Sequence, residues 1–439
     1  MNLIKEVMMK YLFVIFFLFI KIEFIAQTEL TEYHSNPVFN IGTVGSWDAA
    51  TVFDACILQI EDTLKMWYMG NNAATLSLKI GYAWSVDGVN WTRYEQPVLE
   101  PRPGNWDSNG VGSPEVILDG DTLKMWYVNV TPSGPGKDIG YATSVDGINW
   151  DRLDAPVLQG GNSAEWDGSF LLGAGSIIKE DNIYKMWYLG GNGTFPNPAV
   201  IQTGMATSTD GINWMKYDDP STANPPFQLS DPVLKVGTPG SFDDIRALGD
   251  GVLLTESGYE MWYTGEKDSP RIQAIGYATS TDGIEWQKYE QNPVLSSSGN
   301  WAYEFTAPSV IKDSSQYRMW FTGFSSGPVG RIGYATSSFT TGIDESNEQD
   351  LNFDYRLFQN YPNPFNPTTK IKWQSPVGSH QTLKVYDLLG REVAVLINEE
   401  KSIGVHTVTF DASSLPSEVF IYQLQAGDYV ESKKLIFLK

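Results

Sequence analysis

The sequence predicts an all-β protein, a five-bladed β-propeller followed by a small C-terminal Ig-like β-sandwich. Three observations carry that expectation. The motif Met-Trp-Tyr or Met-Trp-Phe begins at Met66, Met125, Met186, Met261 and Met319, five copies in all. A second strand-like segment follows each copy and carries a glycine, at Gly81, Gly140, Gly204, Gly276 and Gly333. A third motif, Pro-Val-Leu, closes the repeat at Pro97, Pro156, Pro232 and Pro293, and its missing copy stands at the other end of the chain as Asn36-Pro37-Val38-Phe39. A period of roughly 60 residues with four strands in each period is the mark of small sheets stacked around a channel. An N-terminal strand completing the last sheet would close the ring and remove an exposed edge.

The second repeat shows the order of elements. Val116-Ile117-Leu118 belongs to strand A, Lys124 to Tyr127 to strand B, Ile139 to Ser144 to strand C, and Pro156-Val157-Leu158 to strand D. Each run is short, rich in β-branched and aromatic residues, and bounded by turn residues, which is the pattern of antiparallel strands. Asp87-Gly88, Asp146-Gly147, Asp210-Gly211 and Asp282-Gly283 supply the C-to-D hairpins, where glycine takes the positive φ of a tight turn. Strand A is led in by Trp47-Asp48, Trp106-Asp107, Trp166-Asp167 and Phe242-Asp243, with Trp301-Ala302 as the exception, so these acids are expected to be shared anchors. The A-to-B and C-to-D turns are short and repetitive. The B-to-C and D-to-A connections open on the opposite face and differ in every repeat, as in Asn71 to Lys79, Gly191 to Gln202 and the long region containing Asp218 to Ser230. Variable loops on a rigid scaffold are where a site is expected.

Composition bounds the function. With 30 basic and 52 acidic residues the net charge is −22, which disfavours nucleic acid and anionic membranes and leaves neutral, hydroxyl-rich partners. Of 15 tryptophans, 13 fall at repeat-equivalent positions, so packing between blades accounts for most of them. The single cysteine, Cys56, excludes an intramolecular disulfide. Lys5 and Lys10 precede the apolar run Tyr11 to Ile20, which is too short to cross a bilayer and reads as the core of a secretory signal peptide. The expected organisation is a signal peptide over 1–27, the propeller over 28–339, a polar linker over 340–354 and a further domain over 355–439. No transmembrane segment is expected in the mature chain.

In a repeat protein the residues that break the pattern are the functional candidates. Aligned on the tryptophan of strand B, the position 13 residues earlier holds Asp54, Ser113, Ala174, Gly249 and Ala307, and the position 11 residues earlier holds Cys56, Glu115, Ser176, Gly251 and Ser309. Asp54 and Glu115 are thus lone carboxylates of like strand parity, pointing to one side from neighbouring blades. They are the candidate catalytic pair. Asp250, Arg246 and Glu304 break the pattern on the later strands A and are candidate substrate-binding residues. The only histidines are His34, His380 and His406, none on a channel strand, so a histidine metal centre or a Ser-His-Asp triad has no parts. No metal site and no cofactor are expected; acid clusters could take structural calcium, but no spacing singles one out.

Phe53-Asp54-Ala55 at the head of the first strand A and Gly112-Ser113-Pro114-Glu115 in the second resemble the five-bladed glycoside hydrolase clan of arabinanases, β-xylosidases and invertases. The resemblance implies that Asp54 is a catalytic base or nucleophile. It departs at the proline usually following that aspartate, and at the third blade, where Leu172-Gly173-Ala174-Gly175 offers no acid. At the other end, Phe358 to Thr369 (FQNYPNPFNPTT), Val385 to Arg391 (VYDLLGR) and Lys433-Lys434 resemble the C-terminal sorting domain of type IX (Por) secretion substrates. That resemblance implies export through the periplasm to the surface or medium, with the secretion machinery as partner. Alternating strands at Thr382 to Tyr386 and Val405 to Phe410 independently predict the sandwich.

The expected function is a secreted, carbohydrate-directed, glycoside-hydrolase-like propeller, working, if it is an enzyme, through paired carboxylates. The alternatives are a non-catalytic propeller binding glycans or proteins, and a structural component of the cell surface.

Overall fold

The computed structural model describes residues 30–338 and 355–437, apart from 75–76, 132–133, 195–196, 256, 314–315, 326–328, 358–359, 361–364, 376–377, 389, 402–403 and 428. The expected signal peptide and linker lie outside the described residues. The described chain is all β-strand and connecting loop. It divides into two compact units, Met1–Gly342 and Ile343–Lys439.

In the first unit, strands A are Thr51–Ile60, Val111–Asp119, Phe170–Glu180, Arg246–Thr255 and Glu304–Lys312. Strands B are Thr63–Asn71, Thr122–Thr131, Ile183–Thr194, Gly258–Lys267 and Gln316–Phe324, and strands C are Lys79–Ser85, Gly134–Ser144, Asn197–Ser208, Ile272–Ser280 and Gly330–Ser338. In every repeat the antiparallel order is A-B-C with an outer strand beyond C. Strands A of successive repeats pack side by side, and the fifth packs back on the first. They therefore surround a common centre. The tryptophan of each strand B is fully buried, as are Met66, Met125, Met186, Met261 and Met319 beside it, so the repeated motif is the core.

The outer strand differs from the expected one. It comes in two pieces, for example Thr92–Arg93 on strand C and then a single bridge between Ile80 and Leu99. Proline at the start of Pro-Val-Leu has no N–H to give, so pairing resumes only at Val98 and Leu99, whose amides both reach the Ile80 carbonyl. In the fifth repeat the same two pieces come from the N-terminal segment. Thr31–Glu32 pairs with Ala335 and Thr336, Phe39 bridges Ile332, and the Asn36 side chain makes hydrogen bonds to both N–H and C=O of Tyr334.

Two further repeated contacts hold the ring. The buried acids Asp48, Asp107, Asp167 and Asp243 accept a hydrogen bond from the tyrosine of their own strand B, at 2.9, 3.1, 3.2 and 3.1 Å. Each also pairs with a cation, Arg93, Arg102, Lys216 or Lys288. The second contact joins neighbours: Trp67, Trp126 and Trp187 donate their indole N–H to the carbonyls of Gly147, Gly211 and Gly283 in the next repeat. Trp262 of repeat four has no such partner among the described residues.

The second unit has two sheets. Arg356–Leu357, Thr368–Ser375 and Gly404–Asp411 form one; Glu392–Lys401, Ser379–Tyr386, Val419–Ala426 and Tyr429–Ile436, in that spatial order, form the other. Alternate residues from both, among them Ile371, Trp373, Leu383, Val385, Tyr422 and Leu424, are buried in one apolar core.

Candidate active site

Every strand A is irregular at the same place. The register with strand B slips between Phe53 and Cys56, Gly112 and Glu115, Gly173 and Ser176, Gly249 and Gly251, and Thr306 and Ser309. Asp54, Ser113 and Ala307 take φ of 48°, 45° and 50° there, in the left-handed region that costs a side-chain-bearing residue energy. The bulge is supported from the preceding repeat: the Asp54 amide donates to Thr322 Oγ1 at 3.0 Å and the Ala307 amide to Thr264 Oγ1 at 2.9 Å.

The consequence is a local loss of strand alternation. Counted back from the strand B tryptophan, Asp54 stands at 13 residues, Asp250 at 12 and Glu115 at 11, yet all three line one cavity of about 800 Å³ at the centre of the ring. Strict parity would have turned Asp250 away from the other two. In repeat three the position equivalent to Asp250 is Gly175, at φ +61°, where an added Cβ would lie 2.2 Å from the Trp187 carbonyl oxygen. That close approach explains why the third strand A carries no acid at this position.

The three carboxyls come from repeats one, two and four. Ser113 Oγ donates to Asp54 Oδ2 at 2.9 Å, Thr264 Oγ1 donates to Asp250 Oδ2 at 2.9 Å, and the Ile177 amide donates to Glu115 Oε1 at 3.3 Å. Burial raises the Asp54 carboxyl to about 6, against the lowering effect of the Ser113 hydroxyl. Burial pushes Glu115 up to about 8, against its hydrogen bonds from Ile177 and Cys56 and helped by the charge of Asp250. Asp250 rises well above the ordinary carboxylate range, through burial first and the nearby Asp54 charge second. At neutral pH the arrangement therefore holds one ionised carboxylate, Asp54, beside protonated partners.

Arg246 and Glu304 also line the cavity. Arg246 pairs with Glu266 at 2.8 Å and not with Glu115, since Glu266 opposes it directly across strands A and B. Arg271 reaches Glu266 at 3.3 Å and Glu304 at 3.1 Å, so two arginines and two glutamates form one neutral chain. Thr264, Glu266, Arg271 and Tyr303 were not singled out by the sequence pattern. The signal for Thr264 was present, because the residue two after each strand B tryptophan runs Met69, Val128, Leu189, Thr264, Thr322. Among the described residues no group of three or more His, Cys, Asp or Glu side chains is placed to hold a metal ion.

Two stretches of the chain match known families. Residues 21–216 match the family described as beta-1,4-mannooligosaccharide phosphorylase, and residues 359–438 match the secretion system C-terminal sorting domain. An uncharacterized protein of Mycobacterium tuberculosis is 28% identical over 197 residues, 42% of this chain and 61% of the relative. A 1,2-beta-oligomannan phosphorylase of Thermoanaerobacter is 37% identical over 128 residues, 27% of this chain and 41% of the relative. The chain thus spans less than two thirds of the length of these relatives.

Among solved structures, one from a study of mannoside phosphorylases and hydrolases acting on β-1,2 mannosidic linkages in Candida mannan shares the fold. It has a TM-score of 0.58 and 16% identity, covering 74% of this chain and 97% of that one. The β-1,2-mannobiose phosphorylase of Listeria innocua has a TM-score of 0.52 and 15% identity, covering 71% and 97%. These matches correct the expected likeness to the arabinanase, β-xylosidase and invertase clan, which is a different clan.

Proposed function

We propose that residues 28–339 are a five-bladed β-propeller that hydrolyses β-linked mannooligosaccharides, and that residues 355–439 are a type IX sorting domain delivering it to the cell surface or medium after signal-peptide removal. The convergence of Asp54, Glu115 and Asp250 in one cavity carries the catalytic part of this reading. Glycoside cleavage needs one carboxyl ionised and one protonated at the scissile bond. Glu115 gives its proton to the leaving oxygen as the anomeric bond breaks, water forms the new bond to the anomeric carbon, and Asp54 takes the proton from that water. Asp250 stays protonated and keeps a second negative charge out of the centre. No cofactor is needed.

Water is favoured over phosphate as the attacking group because the cavity holds no excess positive charge. Its arginines, Arg246 and Arg271, are matched by Glu266 and Glu304, and the centre adds carboxyls. The related phosphorylases make the test direct. The full-length protein should release mannose from β-1,2- or β-1,4-mannobiose and mannotriose at a rate independent of added inorganic phosphate. Asp54→Asn should lower that rate about 100-fold or more. Formation of mannose 1-phosphate only when phosphate is present would replace hydrolysis by phosphorolysis. Binding without turnover would favour the non-catalytic alternative.

A further inference from the structure

The cavity has a rim that the reaction at its centre does not use. Tyr303 lines it and is 64% exposed, although it lies directly before the fifth strand A. Its counterparts in the other repeats, counted from the strand B tryptophan, are Ala50, Asn109, Phe170 and Ile245, so a projecting tyrosine is peculiar to this repeat. Its amide donates to the Phe324 carbonyl at 2.7 Å, and the Phe324 ring lies 5.9 Å from Phe53, the residue immediately before Asp54. Tyr303, Phe324 and Phe53 thus lead from the exposed rim to the central carboxylate. Beside Tyr303 the guanidinium of Arg271 grips Glu304 through two nitrogens, at 3.1 and 3.3 Å, while its own side chain remains 57% exposed.

We propose that Tyr303, together with the Arg271–Glu304 pair, forms a second sugar subsite that holds the next residue of a neutral oligosaccharide whose bond is cleaved at Asp54. This rests on the reading of the cavity as a sugar site. A sugar ring offers an apolar C–H face and an edge of hydroxyls. The exposed aromatic suits the first, and an ion pair with spare donors and acceptors suits the second. Because the pair carries no net charge, the subsite selects a neutral sugar over a uronate or phosphate ester.

The test uses the full-length Asp54→Asn protein, so that binding is read without turnover, titrated by calorimetry with mannose, β-mannobiose and β-mannotriose. The parent should gain affinity from mannose to the longer sugars. Adding Tyr303→Ala should remove about ten-fold of that gain while leaving mannose binding unchanged, and Tyr303→Phe should retain it. Arg271→Ala should act in the same direction. If the parent prefers the longer sugars and Tyr303→Ala binds every length as the parent does, the subsite is wrong and the sugar site stands. If the parent binds no mannoside, both fall together.

Discussion

The indole N–H of Trp320 donates to the carbonyl of Gly88 at 2.8 Å, joining the fifth repeat to the first across 232 residues of sequence. It is the same bond that links repeats one to two, two to three and three to four, so the seam between the last repeat and the first is built like those interfaces. Among the described residues the exception lies between repeats four and five, at Trp262.

That difference predicts unequal costs for one substitution. Trp320→Phe and Trp262→Phe remove the same atoms from fully buried positions, but among the described residues only the first loses a hydrogen bond. Urea unfolding should show Trp320→Phe less stable than Trp262→Phe by about 1 kcal/mol. Equal losses would mean that the bond contributes nothing to the seam.

The pH dependence of turnover follows from the carboxyls. In the proposed reaction Asp54 is ionised and Glu115 protonated, so the rate should rise through about 6 and fall through about 8. In Glu115→Gln any residual activity should lack the alkaline fall. A fall persisting unchanged in that variant would assign the proton donor to another group, Asp250 first.

Stability should move with the same proton. The Glu115 carboxyl binds its proton more tightly in the folded chain, at about 8, than at its ordinary 4.5. Its contribution is complete below the unfolded value and is lost as pH rises through the folded one. Glu115→Gln should therefore melt a few degrees (~2–5 °C) above wild type at pH 9 and show a smaller difference at pH 5. A melting difference that does not change between those pH values would contradict burial of an ionisable group there.

The sorting function is open to a truncation test. A chain ending at Asp350 should fold and be retained in the periplasm, whereas the full chain reaches the surface or medium. Export of both in equal proportion would remove the tail from that role.

The repeat was legible because core packing imposes it: Met66, Trp67 and Tyr68 recur since each repeat must fill the same interface. Closure by Asn36 to Phe39 was legible for the same reason, as a displaced copy of a strand motif. The site was only partly so. Asp54 and Glu115 stood out as acids among small residues, but Asp250 falls out of phase with them, and a bulge is a backbone event that side-chain periodicity does not record. Arg271 lies in a B-to-C connection with no counterpart to align against, and Tyr303 stands at a position that holds a different residue in every repeat. Their meaning depends on which neighbours the ring brings within reach. The likeness to the arabinanase, β-xylosidase and invertase clan misled because it stood on two short motifs, Phe53-Asp54-Ala55 and Gly112 to Glu115, and a few residues around an acid do not identify the sheet that presents them.

The contact between Asn36 and Tyr334 spans 298 residues. Its consequence concerns the order of events as the chain folds. The outermost strand of the last sheet precedes all of its partners in the chain, and it has no partner until strand C of repeat five exists. Bringing ends so distant together is a slow, entropically opposed step, so the repeats can form their internal hairpins well before the circle is sealed. Until then an unpaired strand edge remains open to wrong partners. The period of vulnerability lasts for the time it takes to make and deliver the whole barrel of repeats, not a single one.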